Sequence, residues 1–273
     1  MTNRAIVAGA LTFVGYCLVE RLLEEGNEVL GLDFEEIAGM SAVSEEKLLG
    51  VGRNAAFTYR SFQESYIEEM RRHGGQMVYM CAAEPNQRSV AAGQRVERLL
   101  RQLIDFCKTH TKKLVLLSSV EAQREAATEN GRFFYSLEQQ VEQELQHYGI
   151  LQMPVVYGPW QPAFMAYHRL LSGGNADHRE QGSDAVYVDD AAACLHEMGT
   201  GSLEGLYHLS SGKPQQWEAG VRLLGGTVPP GEKHGRRAGA RVYPYQPRTA
   251  LEEGLRRQRL HLQQYQHLYE RMP

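Results

Sequence analysis

A chain of 273 residues, 42% apolar and 23% charged, has an ordinary globular composition and enough length to bury one large domain or two unequal ones. A formal net charge of −4 lacks the basic surplus expected of a general nucleic-acid binder, and no apolar run reaches membrane-spanning length. Cys17, Cys81, Cys107 and Cys194 lie far apart without a C-x-x-C, and three of them sit in apolar stretches and read as buried thiols, which fits a reducing cytoplasm and argues against a disulfide frame or a zinc site. The start, "MTNRAIVAGALTFVG", runs straight into a strand and lacks the pattern of a secretory signal. "RAIVAGA" (4–10) reads as a short buried strand and "FVGYCLVERLLEEG" (13–26) as a helix closed by Gly26. "NEVLGLDF" (27–34) and "QMVYMCAAE" (76–84) are further strands, followed by a helix over 91–109 with Leu99, Leu100, Leu103, Ile104 and Cys107 on its apolar stripe. "KLVLLSS" (113–119) is a strand, "FYSLEQQVEQELQHYG" (134–149) a helix stopped by Gly149, and "ILQMPVVYG" (150–158) a strand.

Beyond Pro159 the pattern loosens. Residues 172–184 and 225–239 read as loops, and the basic cluster 232–242 as a solvated part of the second. "AVYVDDAAACLHEM" (185–198) reads as a strand leading into a helix, with Asp189 and Asp190 capping the helix from 191. "GLYHLSSGKP" (205–214) reads as strand and turn, and 249–272 as a terminal helix. The β-α-β-α rhythm with near-continuous apolar strands predicts an α/β fold. It is a doubly wound, Rossmann-like parallel sheet with a smaller, discontinuous C-terminal lobe. The expected division is a dinucleotide-binding domain over 1–158 and a substrate-type lobe over 159–273, with 185–200 returning to the first domain.

The turn "AGALTFVG" has Gly9 and Gly15 where the first and third glycines of G-x-x-G-x-x-G would stand, with Thr12 at the middle position. The first glycine makes the tight turn, the middle one lets the backbone approach a pyrophosphate, and the last allows helix-on-strand packing. Phe13, Val14 and Gly15 then open the helix, whose free N–H groups and positive dipole end favour phosphate. Asp33 ends the second strand 18 residues past Gly15, in place to accept hydrogen bonds from adenosine ribose hydroxyls and to repel a 2′-phosphate. The alternative is a glycine turn that only packs a helix.

From residue 4 to about residue 257 the chain resembles the extended short-chain dehydrogenase/reductases, the NAD-dependent epimerase/dehydratase group that acts on nucleotide sugars. "AGALTFVGYCLVERLLEEGNEVLGLDF" resembles that family's first β-α-β unit, and "VYMCAAE" its V-I-H-L-A-A strand. "VVYGPWQP", "VYVDDAAACL", "GLYHLSSGKP" and "PRTALEEGLRR" resemble four later segments, in the family's order. The resemblance implies NAD as cofactor and a nucleotide or nucleotide sugar as ligand. It places Ala82 and Tyr157 beside the cofactor with the turn residues. It also implies dimerisation through the helices 91–109 and 134–148. A family tyrosine that serves as acid/base falls on Tyr135, and the serine that orients the substrate hydroxyl on Ser119, with Ser118 as the alternative.

Position 139, where the family carries the lysine that activates the tyrosine, is a glutamine. A cation there would favour the phenolate and a neutral amide does not, so Tyr135 is expected to stay a phenol, a poor general base. Further departures are Thr12 at the pyrophosphate glycine, Met80 for a histidine, Gln152 near a family arginine, and no acid in "TYRSF" (58–62), where the family contacts adenine. These losses together imply NAD binding that is weak or lost. Tyr135 and Ser119 read equally as packing residues at a strand–helix junction. Glu121, Glu125 and Glu129 read as a solvated face, and His168, His178, His196 and His208 show no metal-ligand spacing. Three functions stay open at this point. One is a cytoplasmic epimerase/dehydratase-like protein acting by binding or regulation; the others are an enzyme with a non-standard catalytic set and a structural partner in a complex.

Overall fold

The computed structural model describes residues 3–35, 39–62, 66–83, 90–123, 128–176, 184–213, 215–228, 237 and 239–269. Glu84, Glu125 and His178, and most of the two expected loops, lie outside them. The strands are β1 (Arg4–Ala8), β2 (Glu28–Asp33), β3 (Phe57–Ser61), β4 (Met77–Met80), β5 (Lys113–Ser119), β6 (Tyr148–Met153), β7 (Val155–Tyr157), β8 (Ala185–Tyr187), β9 (Gly205–His208) and β10 (Arg241–Val242). The helices are α1 (Phe13–Glu24), α2 (Ala42–Val51), α3 (Tyr66–His73), α4 (Val90–His110), α5 (Glu129–Glu144), α6 (Ala166–Leu171), α7 (Val188–Thr200), α8 (Gln216–Leu223) and α9 (Leu251–Tyr269).

Eight strands form one sheet in the order β10-β9-β6-β5-β4-β1-β2-β3, every pair parallel. Parallel strands buried on both faces need apolar residues at successive positions, and "RAIVA" and "KLVLLSS" supply them. The helices α3, α4 and α5 cover one face, with Met70, Leu100, Leu103, Phe134 and Leu137 in the core. The other face carries α1 and α7, packed against each other. The expected doubly wound α/β architecture is therefore present. Its switch point lies between β1 and β4, where open α/β sheets bind ligands at the strand C-termini.

Met153 ends the pairing of β6 with β5. Pro154, which has no N–H to give a ladder, follows, and β7 leaves to pair with β8 in a separate two-stranded sheet. Packed on that small sheet and its surroundings are α6, α8 and α9. No helix among the described residues is long and apolar enough to cross a membrane.

Three local expectations need correcting. The helix expected at 134–149 begins five residues earlier, where the Thr128 hydroxyl accepts the Gly131 N–H at 3.0 Å. It ends at Glu144 because buried Leu145 turns extended, and Gly149 lies inside β6, paired with Val115 and Gly205. The expected strand 150–158 is divided at Pro154. Asp189 and Asp190 do not cap a helix starting at 191, because α7 already begins at Val188. Instead the Asp190 carboxylate accepts from the Tyr245 hydroxyl at 2.7 Å and from the N–H groups of Arg248 and Thr249, tying down the approach to α9.

Candidate functional site

At the switch point the glycine turn closes on the end of β4. Gly9 has φ +84°, and a Cβ there would stand 2.4 Å from the backbone nitrogen of Ala82. The Leu11 N–H donates to Asp33 Oδ2 at 2.9 Å, while the Leu11 carbonyl accepts from Lys47 Nζ at 2.8 Å. Lys47, 4% exposed, reaches the turn from α2 past the rings of Tyr16 and Trp160. An acid from β2 and a base from α2 thus fix the turn, and the sequence signalled only the acid.

Thr12 is the N-cap of α1. Its hydroxyl accepts the Gly15 N–H at 3.3 Å and has Gly9 O at 2.7 Å and Cys81 O at 3.1 Å as acceptors for its single proton. An amide of the helix N-terminus is thereby satisfied by the chain itself, and the side chain lies between β1 and β4. Phe13, Val14 and Gly15 are buried behind it. Asp33, 7% exposed, also accepts the Phe34 N–H at 2.7 Å. Cys81 adjoins the turn, and burial pushes its thiol up to about 12, so it stays protonated at neutral pH.

Tyr135 sits in the second turn of α5, half-buried. Gln139, one turn on, donates to Glu142 at 2.6 Å. A cation does reach the tyrosine, but from elsewhere: the Arg237 guanidinium lies 4.8 Å from the centre of its ring. Arg237 also donates to Glu138 and, at 2.9 Å, to Glu142. Glu138 is fully buried, where it accepts from Ser118 Oγ at 2.5 Å and from Gln152 Nε2 at 2.9 Å. Burial raises the Glu138 pKa, against the bonds from Ser118, Gln152 and Arg237 that favour its charge.

Of the two candidate serines, Ser118 faces α5, whereas the Ser119 hydroxyl accepts the Glu121 N–H at 3.2 Å and shapes the exit of β5. Glu121 is partly exposed and Glu129 exposed, and the Glu121 carboxylate also accepts from Thr128 Oγ1 at 3.2 Å and Asn130 Nδ2 at 3.1 Å, linking β5 to the start of α5. Tyr157 lies fully buried, its ring edge-on to Tyr167 and Tyr187, in the core beneath α9. Ala82, 2% exposed, abuts Gly9. Gly9, Thr12, Asp33 and Ala82 are thus joined by contacts at the strand C-termini. Ser118 and Tyr135 belong to the α5 side of the same sheet. Among the described residues no group of three or more His, Cys, Asp or Glu side chains could hold a metal ion.

No protein-family model matches the sequence, and no curated protein matches it. Solved structures do match. A dTDP-glucose 4,6-dehydratase from Bacillus anthracis in complex with NAD superposes with a TM-score of 0.75 at 15% identity, over 98% of this chain and 99% of that one. A UDP-glucuronic acid 4-epimerase from Bacillus cereus in complex with NAD gives 0.73 at 18% identity, over 96% and 99%. A UDP-glucose 4-epimerase from Thermotoga maritima with UDP-glucose gives 0.68 at 21% identity, over 96% and 99%. The chain has the extended short-chain dehydrogenase/reductase fold. At these identities the likeness is one of architecture, and the chemistry of the crevice has to be argued from this chain's own side chains.

One consequence concerns position 139. In Gln139→Lys the new ammonium would meet Glu142, one turn along α5, before it could serve Tyr135. The variant is therefore expected to give no NAD-dependent turnover of UDP-glucose, measured by product analysis. Turnover would show that Glu142 does not hold the new ammonium away from Tyr135.

Proposed function

We propose that this chain is an epimerase/dehydratase-like protein of the cytoplasm. It keeps a nucleotide or nucleotide-sugar cleft in altered form and acts by binding or regulation, without the Tyr–Lys hydride-transfer chemistry. The observation that carries the reading is the state of position 139. Its side chain is a neutral amide committed to Glu142, and the guanidinium over Tyr135 is committed to two carboxylates. Neither arrangement offers the tyrosine an unshared positive charge. Thr12 adds support at the other end of the cleft, since its hydroxyl already accepts the Gly15 N–H of the helix N-terminus that would otherwise be offered to a phosphate.

NAD should accordingly bind weakly or not at all to the unsubstituted protein. Thr12→Gly removes the bulk at the turn and, with it, the helix cap, at a stability cost of up to about 1 kcal/mol. Its NAD affinity should improve roughly tenfold, about 1.4 kcal/mol, with NAD preferred over NADP through Asp33. Calorimetric titration of both proteins with both cofactors tests this. Unchanged affinity in the variant would remove Thr12 as the obstruction.

A second reading has one observation in its favour. Arg237, Glu138 and Ser118 form a connected polar group beside Tyr135, from which an enzyme with a non-standard catalytic set could be built. Incubation with NAD and mixed nucleotide sugars, followed by product analysis, separates the two readings, because only the second gives a new sugar.

A further inference from the structure

We propose that Lys47 is a positioning residue that couples the C-terminal helix α9 to the glycine turn. Displacing the terminal half of α9 would loosen the turn, and by reciprocity a firmer turn would firm the seat of α9. The coupling belongs to the unliganded chain, so it holds whatever the cleft binds.

Lys47 lies on the buried side of α2. Its Nζ donates to the Leu11 carbonyl at 2.8 Å and stands 5.7 Å from the ring centres of both Tyr16 and Trp160. A cation within about 6 Å of an aromatic face is drawn to it, more strongly where water is excluded. Trp160 therefore helps to set where the ammonium stands, and the ammonium sets where Leu11 stands. The Leu11 N–H is bonded to Asp33, so losing the Lys47 bond would leave this residue hydrogen-bonded on the β2 side alone.

Trp160 is in turn seated by α9. Its ring centre lies 4.3 Å from that of His261 and 4.8 Å from that of Tyr265. Burial, with Lys47 and His168 nearby, lowers the His261 pKa to about 4, so a neutral ring packs there at pH 7. The backbone around Trp160 is bound to the same helix. Buried Gln258 of α9 accepts the Gly158 N–H at 3.2 Å and donates to buried Gln161 at 2.6 Å. Trp160 itself has φ +66°, a left-handed conformation that is costly for a bulky side chain and persists only where the surroundings impose it. Opposite it, α9 leaves its helical path at Tyr265, with φ −110° and ψ 18°, although no proline stands in the helix to cause the break. The rings of Trp160 and Tyr265 thus hold each other's backbone away from its ordinary state, and releasing one lets the other relax.

A chain of contacts becomes coupling only if its members act non-additively. Hydrogen exchange of the full chain is measured at the Leu11 and Gly15 amides of the turn, with Ile150 and Leu151 of β6 as the reference. Tyr265→Ala, which removes a ring from Trp160, should speed exchange in the turn about tenfold and leave β6 within about twofold. Lys47→Met, which keeps the apolar stem but removes the bond to Leu11, should do the same. The two together should be no faster than either alone, whereas independent effects would multiply to about a hundredfold. Lys47→Arg, which keeps the charge and a donor, should restore the response to Tyr265→Ala. If Lys47→Met fails to fold, Trp160→Leu breaks the same link and is held to the same non-additivity. A turn unmoved by Tyr265→Ala, multiplying effects, or equal acceleration in the turn and β6 would overturn the proposal, the last by showing a general loss of stability.

Discussion

Replacing Arg237 by methionine should lower the unfolding free energy by about 3 kcal/mol at neutral pH, because it leaves the fully buried Glu138 carboxylate without its charge partner. The Arg237 side chain is 14% exposed, so solvent screens the pair little. Removing Arg71, 58% exposed and paired with the exposed Glu68, should change stability by less than about 0.5 kcal/mol. The loss should also depend on pH. Burial raises the folded-state pKa of Glu138 above the ordinary carboxyl value of 4.5, so the folded protein binds that proton more tightly than the unfolded chain does. The contribution of Glu138 is then most favourable below about 4.5 and falls as pH rises through its folded value. Without the guanidinium the folded value moves further up, so the variant should lose stability more steeply than the parent between pH 5 and pH 8. Urea unfolding at those two pH values measures it. Equal losses at both would mean that Arg237 acts by packing alone.

Gly15→Ala should be at least as damaging. A Cβ at this position would lie 1.9 Å from the Gly9 carbonyl oxygen and 2.7 Å from Thr12 Oγ1. The first neighbour is backbone of the turn, which Asp33 and Lys47 hold through Leu11, so it cannot give way alone. Helix α1 would have to move off β1 and disturb its packing against α7. Overpacking of this kind costs about 3 kcal/mol or more, which at this chain length corresponds to a fall in Tm of roughly 5–10 °C. Gly93→Ala supplies the contrast. A Cβ on that α4 glycine would sit 3.5 Å from the Phe133 ring, an ordinary contact, and helix propensity favours alanine there by up to about 1 kcal/mol. Thermal unfolding of the two variants should move in opposite directions. A Gly15→Ala protein as stable as the parent would show that the turn is looser than its hydrogen bonds indicate.

The sheet was legible in the sequence because parallel strands buried on both faces have to be apolar almost throughout. "EVLGLD" and "KLVLLSS" cannot be placed anywhere else. Helix α2 was not legible for the opposite reason. The residues it buries include Ser44 and Lys47, so "AVSEEKLLGV" shows no apolar stripe, and only the finished fold reveals that Lys47 holds the glycine turn. The strand expected over 150–158 ran through Pro154, where β6 in fact ends, and nothing local announced that β7 would start a second sheet. In the site, Gly9, Thr12, Gly15 and Asp33 stand close together in sequence with spacings dictated by one turn, which is why they could be read. Arg237 could not be, because it lies 99 residues beyond Glu138 in a segment whose basic residues suggested solvent. Glu138 itself was hidden among the glutamates and glutamines of α5, since burial of a charged residue is a property of the assembled sheet and helix.

The proposed function requires that the cleft does not run NAD-dependent hydride transfer. Calorimetric titration of the unsubstituted protein with NAD tests it most directly, with product analysis of the same samples after addition of UDP-glucose. Heat too small to fit a dissociation constant below about 1 mM, weaker than about 4 kcal/mol of binding free energy, with the sugar recovered unchanged, is the expected result. Micromolar NAD binding together with a converted sugar would contradict it.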